Sequence, residues 1–258
     1  MSDDSRRELV GAGGRVLATY VYDITGRDQW AEDIQPAPDV EIDEVVAAAM
    51  ASFAGWVAGG QDELCAALIA AGAKPRRHAS VMTLDLRTSP PPHTWRASGL
   101  PAGLHYTGLS GDPELLYEAY AGAYRPGHPD RGSTDQRETF EQTLLPLLRG
   151  EILGPVLPSS AMIVDDDTKR AAAACILTDR DGTAWVAELF RDPAPLFAGT
   201  GGALLRHCLW RTAEHEIDKV GLAVTVGNAA QLLYEEAGFT IESTSRNVLI
   251  PPASRGAS

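Results

Sequence analysis

The chain has 258 residues, with 35 acidic against 22 basic side chains and a net charge of −13. That balance excludes an extended basic face of the kind that neutralises nucleic-acid phosphates. The acidity is even: eight basic against fourteen acidic residues through residue 95, and fourteen against twenty-one beyond it.

Arg15–Tyr22 is β-rich, and Gly11-Ala12-Gly13-Gly14 ahead of it reads as a flexible turn with no strand before it. Asp28–Glu44 is acidic, carries Pro36 and Pro38, and is expected to be exposed. Glu44–Val57 is an alanine-rich helix candidate. Its apolar stretch Val45–Gly60 is shorter than the ~20 residues of a bilayer span, so it reads as a core helix and no membrane segment is expected. Gln61–Ala71 is a second helix ended by Gly72, and Arg77–Leu86 is a strand. Thr88–His93, with three consecutive prolines, is the linker candidate.

Leu115–Tyr124 reads as a short helix. Ser133-x-x-Gln136 is a capping-box pattern that introduces a helix through about Leu148. Between them Arg125–Gly132 is a Pro/Gly loop. Ser160–Val164 and Ala171–Thr178 form a hairpin about the charged turn Asp165–Arg170. Ser243–Ile250 is a last strand, and Pro251–Ser258 a frayed tail. Cys65, Cys175 and Cys208 are far apart and odd in number, which suits buried thiols in a reducing compartment. His207-Cys208 has no partners at metal-ligand spacing, so no metal is expected.

Two segments carry the chemistry. In Ala184–Leu205 an apolar strand broken by Glu188 runs to a Pro-containing bend, then Gly199-Thr200-Gly201-Gly202, then an apolar stripe at helical spacing. A helix start offers free N–H groups and partial positive charge, and glycines let the backbone approach a ligand. Strand, glycine turn and helix together make an anion cradle suited to a diphosphate. A Walker loop would need Lys and Ser or Thr where Ala203-Leu204 stand, and a dinucleotide GxGxxG would need glycine at Leu204. A coenzyme A pyrophosphate loop remains, beside the plain alternative of a glycine turn joining strand to helix. In the second segment, the strand Leu222–Val226 gives way to Gly227-Asn228-Ala229-Ala230, then Leu233-Tyr234 and Gly238-Phe239. Asn228 is a suitable N-cap and Gly238 a suitable terminator for the helix between them.

With Asn228-Ala229-Ala230, Leu233-Tyr234 and Gly238-Phe239 following the Gly199/Gly201 loop, the chain resembles the GNAT superfamily of acyl-CoA-dependent N-acyltransferases. The resemblance covers roughly Gly103–Ile250, with specific motifs in the second half of that range. Two positions depart from the family's loop: Leu196 stands where Arg or Gln is usual, and Phe197 where a small residue is usual. A bulky Phe197 would narrow the loop.

The resemblance implies a mixed α/β fold, with a central mixed, mostly antiparallel sheet flanked by helices, and acetyl-CoA as co-substrate. It places coenzyme contacts at Phe197, Ala198, Gly199, Thr200, Gly201, Gly202 and Asn228. Backbone N–H groups at Leu189, Phe190 or Arg191 would stabilise the thioester oxygen. Tyr234 takes the place of the acid that protonates the leaving thiolate. Glu188 is the candidate base, acting through water, and His128 and Asp130 in the loop after the first helix are candidate substrate contacts. Each has a simpler alternative: a core tyrosine at 234, a helix cap at 228, a strand-end carboxylate paired with Arg191 or Arg206 at 188, a surface charge at Arg191 and a solvated loop at 128–130.

The expected protein is thus a cytoplasmic, bacterial N-acetyltransferase, monomeric or homodimeric. Its acceptor would be a small-molecule amine, a protein lysine or a protein N-terminus, and no nucleic acid is involved. Residues 96–258 would be the acetyltransferase domain. Residues 1–95 would be a degenerate GNAT-like companion, on the faint echo of Leu68–Ala73 and Val81–Leu86 to the end of such a domain, or an unrelated α/β extension. The rival reading is a non-catalytic acyl-CoA-binding or sensor protein.

Overall fold

A computed structural model describes residues 6–25, 28–97, 99–109, 111–131, 135–180 and 182–252. The chain forms two compact units. The first takes residues 1–80 together with 243–258, and the second residues 81–242. This partition differs from a cut at residue 95, because the last strand groups with the amino-terminal residues.

The first unit opens with three antiparallel strands, β1 (Arg6–Val10), β2 (Val16–Thr25) and β3 (Asp28–Pro36). Helix α1 (Ile42–Ser52) then leads to β4 (Val57–Gly60), which lies parallel to β3. Helix α2 (Asp62–Ala70) follows, then β5 (Lys74–Asp85), within which the unit ends. The strand order is β1-β2-β3-β4, and β11 (Thr240–Leu249) joins β4 antiparallel through Arg246–Leu249. Val45, Val46 and Ala49 of α1 and Leu64, Cys65 and Leu68 of α2 pack with Ala31, Ile34 and Val248 into one core.

Three of these elements depart from the sequence expectations. Gly11–Gly14 is a hairpin loop, with β1 before it. The acidic stretch forms β3: Ala31 and Ile34 face inward while the carboxylates face water, and a bulge at Asp33 (φ 47°) spoils the two-residue alternation that would reveal a strand. The alanine-rich helix stops at Ser52, and Val57–Gly60 is a strand buried among its neighbours.

The second unit has the strand order β6-β7-β8-β9-β10. Strands β6 (Leu104–Gly108), β7 (Ala161–Asp165), β8 (Ala171–Arg180) and β9 (Thr183–Arg191) are antiparallel neighbours, and β10 (Lys219–Thr225) runs parallel to β9. Helices cover both faces. Ala161 and Ile163 of β7 pack into one core with Leu204, Leu205, Cys208 and Leu209, whereas Met162 and Val164 pack into another with Leu116, Ala119, Tyr120 and Phe140. This two-sided burial explains the unbroken apolar run of β8.

The second core is built by α3 (Glu114–Ala123) and by a helix in three stretches: α4 (Gln136–Thr139), a π turn (Phe140–Leu144) and α5 (Leu145–Leu148). Pro146 has no N–H for the helical ladder, and the chain widens into the π turn just before it. The cap of α4 is Asp135, whose side chain accepts from the Arg137 and Glu138 N–H groups. Ser133 of the expected capping box lies outside the described residues, as does most of the tail. Helices α6 (Thr200–Glu214) and α7 (Ala230–Glu236) complete the unit. No helix among the described residues is long and apolar enough to cross a membrane.

Candidate active site

In the second unit β9 and β10 pair over only three positions, ending at Val186↔Leu222. Beyond that point β9 continues to Arg191 and β10 to Thr225 without mutual pairing, while β9 keeps its register with β8 as far as Ala173↔Arg191. A bulge opposite Ile176 and Leu177 marks the place where β9 turns away. Successive backbone groups of a strand point to alternate edges, so the stretch 187–191 presents amides toward the opening that β10 leaves. Leu189, Phe190 and Arg191 lie along this stretch. The Phe190 ring is committed to the α3 core, 5.4 Å from Tyr120, which leaves the backbone of 190 as its contribution to the opening.

The glycine turn stands at the exit of β9. Gly199 caps α6 at φ 82°, which only glycine adopts cheaply, and a side chain there would project into open space. Among the described residues no backbone hydrogen bond is donated by the N–H groups of Gly199, Thr200, Gly201 or Gly202; the first of the helix comes from Ala203 to the Gly199 carbonyl. Thr200 turns its hydroxyl back to the Phe197 carbonyl at 2.7 Å, which fixes the turn. A Cβ at Gly202 would come within 2.9 Å of the Leu233 Cδ1 methyl of α7, which would have to shift. The Phe197 ring is buried in the core with Leu204 and Leu205, so it does not narrow the loop, whereas Leu196 is 62% exposed. Ala198 and Gly199 are exposed at the mouth of the turn.

Two arginine side chains lie beside this turn, Arg191 through its Cδ methylene and Arg206 through its guanidinium. The Arg191 side chain passes 3.9 Å from the Cβ position of Gly201, and Arg206 places its nitrogens 3.6 and 3.7 Å from that of Gly202. Arg191 donates to the Asp192 carbonyl at 2.8 Å and neither arginine pairs with a carboxylate among the described residues. The first turn of α6 holds no acidic residue. Free amides, the helix dipole and two cations together favour a dianionic group there. Arg206 carries no motif of its own; its place beside the turn is visible only once the helix brings it one turn past the glycines.

On the other side of the opening, Tyr124 donates its hydroxyl hydrogen bond to Glu188 Oε1. Nearby on α3, a side chain at Gly122 would meet Pro193 at 2.9 Å, so the helix packs closely on the segment after β9 there. The Tyr124 ring sits between Tyr120 at 5.0 Å and the edge of His128 at 5.1 Å. Burial, and then the Glu188 charge, push the Tyr124 hydroxyl well above the ordinary phenol range. Glu188 makes no salt bridge with Arg191 or Arg206 among the described residues; Tyr124 is the partner that sequence reasoning missed, 64 positions away.

Asp130 is occupied by its own protein. Its two carboxylate oxygens accept from the Thr225 hydroxyl and, at 2.6 Å, from Asn228 Nδ2, while its N–H donates to His128 Nδ1 at 3.1 Å. Asn228 Oδ1 accepts from the Ala230 N–H at 2.9 Å, so this residue caps α7 as well as holding the loop. Tyr234 of α7 is 8% exposed and makes no hydrogen bond among the described residues. Burial raises its hydroxyl above the ordinary value, with further contributions from Cys175, Glu188 and Asp130, the groups nearest it electrostatically. Among the described residues no group of three or more His, Cys, Asp or Glu is arranged to hold a metal ion.

No protein-family model and no curated protein matches the sequence. The fold does match solved structures. A GCN5-related N-acetyltransferase from Sphaerobacter thermophilus is 16% identical with a TM-score of 0.63, over 94% of this chain and 80% of that one. A GCN5-related N-acetyltransferase from Kribbella flavida is 17% identical with a TM-score of 0.53, over 95% and 90%. A tandem GNAT protein from the clavulanic acid biosynthesis pathway is 17% identical with a TM-score of 0.52, over 94% and 82%.

Proposed function

We propose that this chain, which has the fold of the GCN5-related N-acetyltransferases, transfers an acetyl group from acetyl-CoA to an amine in its second unit. The single observation that carries the reading is the parting of β9 from β10 beside an unpaired glycine-rich helix start. The amides of 199–202, with Arg191 and Arg206, would hold the coenzyme diphosphate. The parted strands would receive the acyl arm between them, where free peptide groups can hydrogen-bond its amides.

Glu188 would take a proton from the incoming ammonium, directly or through water, because a free primary amine has a pKa near about 10 and only its neutral form is nucleophilic. The nitrogen then attacks the thioester carbon. Backbone N–H groups at 189–191 would stabilise the carbonyl oxygen as it gains charge. When the carbon–sulfur bond breaks, Tyr234 would donate to the sulfur, the second proton on the nitrogen would leave to solvent, and the phenol would regain its own from solvent. Burial makes its phenol a weak acid, so it acts first as a hydrogen-bond donor and yields its proton only as charge localises on sulfur. The acceptor would be a small amine or a protein amine, reached from the side of Tyr124, His128 and Asp130.

The first unit would be a GNAT-like repeat without its own reaction. Support comes from its order of elements, antiparallel strands, a helix, a parallel strand and a second helix, which the second unit repeats in β7–β9, α6, β10 and α7. One observation favours a second reading, a non-catalytic acyl-CoA binder: Leu196 offers no side-chain donor to the turn.

The deciding experiment is calorimetry with acetyl-CoA, followed by a thiol-release assay against a panel of amines. Binding with amine-dependent thiol release is expected. Binding without release from any amine would favour the sensor, and the absence of binding would end both readings.

A further inference from the structure

We infer that Tyr124 is a positioning residue for the reaction, holding Glu188 as an oriented carboxylate; this rests on the reading of Glu188 as the base. The geometry is specific. Tyr124 lies at the end of α3, just where the helix gives way to the acceptor-side loop, and its hydroxyl reaches across to Glu188 Oε1. Its ring cannot swing freely, being packed edge-on against Tyr120 and His128.

The chemistry follows from the donor. A phenol kept protonated by burial can only donate to a carboxylate, and a donor to the ionised form favours that form. One oxygen of Glu188 is thereby fixed, and the plane of the carboxylate with it. A carboxylate on a strand next to an opening has no such constraint from its own backbone. His128, packed on the same ring, links the arrangement to the loop that Asp130 ties to Thr225 and Asn228. The carboxylates that face the Tyr124 hydroxyl are Glu188 and Asp130, with the phenol of Tyr120 beside them.

The test is Tyr124→Phe, which keeps the ring and removes the donor. Acetyl-CoA affinity, read by calorimetry, should stay within about twofold, since the variant leaves the glycine turn untouched. kcat should fall roughly ten- to a hundredfold, the scale of a misplaced catalytic group. The acid limb of the kcat/KM profile should move to higher pH, because Glu188 loses a donor to its charged form. A merely structural tyrosine would lower the rate without moving that limb. A wild-type enzyme that turns over, with a variant profile superimposed on its own, overturns the inference and leaves the acetyltransferase standing. Wild-type protein that binds no acetyl-CoA and releases no thiol overturns both. If Tyr124→Phe unfolds, Glu188→Asp supplies the same test. It retracts the carboxylate from the phenol and should lower kcat as strongly, with coenzyme affinity unchanged; full activity would overturn the inference.

Discussion

The two units share an order of elements through a parallel strand and its following helix, and differ at the positions proposed above to hold a coenzyme. In the second, β9 and β10 separate after Leu222; in the first, β3 and β4 stay paired to Ile34↔Gly60, past the bulge at Asp33. The second begins α6 with Gly199-Thr200-Gly201-Gly202 and has no acid in the first turn. The first begins α1 at Glu41, with Asp43 and Glu44 in the first turn, where they complement the helix dipole themselves and repel an anion. Four residues before the glycine that ends the next helix stands Tyr234 in one and Leu68 in the other, both buried. The comparison teaches that burial alone is met at that position by an aliphatic side chain in one unit and an aromatic one in the other.

The largest effect should come from making the second unit like the first at its helix start. Gly201→Asp would set a carboxylate beside Arg191 and among the free amides, and acetyl-CoA affinity should drop by roughly a hundredfold or more, about 3 kcal/mol for loss of a charge-assisted site. Gly201→Ala is the control for backbone and bulk, since its Cβ would have only Arg191 nearby at 3.9 Å. The reverse change, Asp43→Asn with Glu44→Gln, should leave the affinity unaltered. Weakened binding in that double variant would mean the first unit takes part after all.

Next in size is Tyr234→Phe, a step toward the leucine of the first unit. kcat should fall roughly a hundredfold, the low end of the range for a general acid, while acetyl-CoA affinity holds. An undiminished rate would return Tyr234 to the role of a core side chain.

The smallest effect is spectroscopic. Burial raises Tyr120, Tyr124 and Tyr234 above the ordinary phenol value, so these three of the seven tyrosines should ionise late when phenolate absorbance is followed. Their folded-state values exceed the unfolded one, so their contribution to stability is complete below about pH 10 and is lost as the pH rises beyond it. Seven phenols titrating together near the ordinary value in folded protein would contradict the packing described for the site.

Much of this was legible in the sequence because it was local. A glycine turn before a helical stripe, and a strand ending in Gly227-Asn228 before Ala229-Ala230, announce themselves within a dozen residues. What stayed hidden was either irregular or distant. Strand β3 hid behind its carboxylates and a bulge that shifts its period, and β4 behind four small residues that continue an alanine-rich run. Leu196 and Phe197 read as defects of the loop, yet Phe197 turns inward to the core. The partnership of Tyr124 with Glu188 and the clasp of Asp130 on Thr225 and Asn228 join positions 64 to 98 apart, and no spacing rule spans them.

Asn228 carries a consequence of its own. Its amide is used at both ends, the oxygen on the Ala230 N–H and the nitrogen on Asp130. Deamidation with age would preserve the oxygen and so preserve the start of α7, but it would turn the nitrogen into a second negative oxygen facing Asp130. The same number of heavy atoms would then push Asp130 away rather than hold it, so one slow hydrolysis, invisible to a probe of helix content, would loosen the 125–131 segment first.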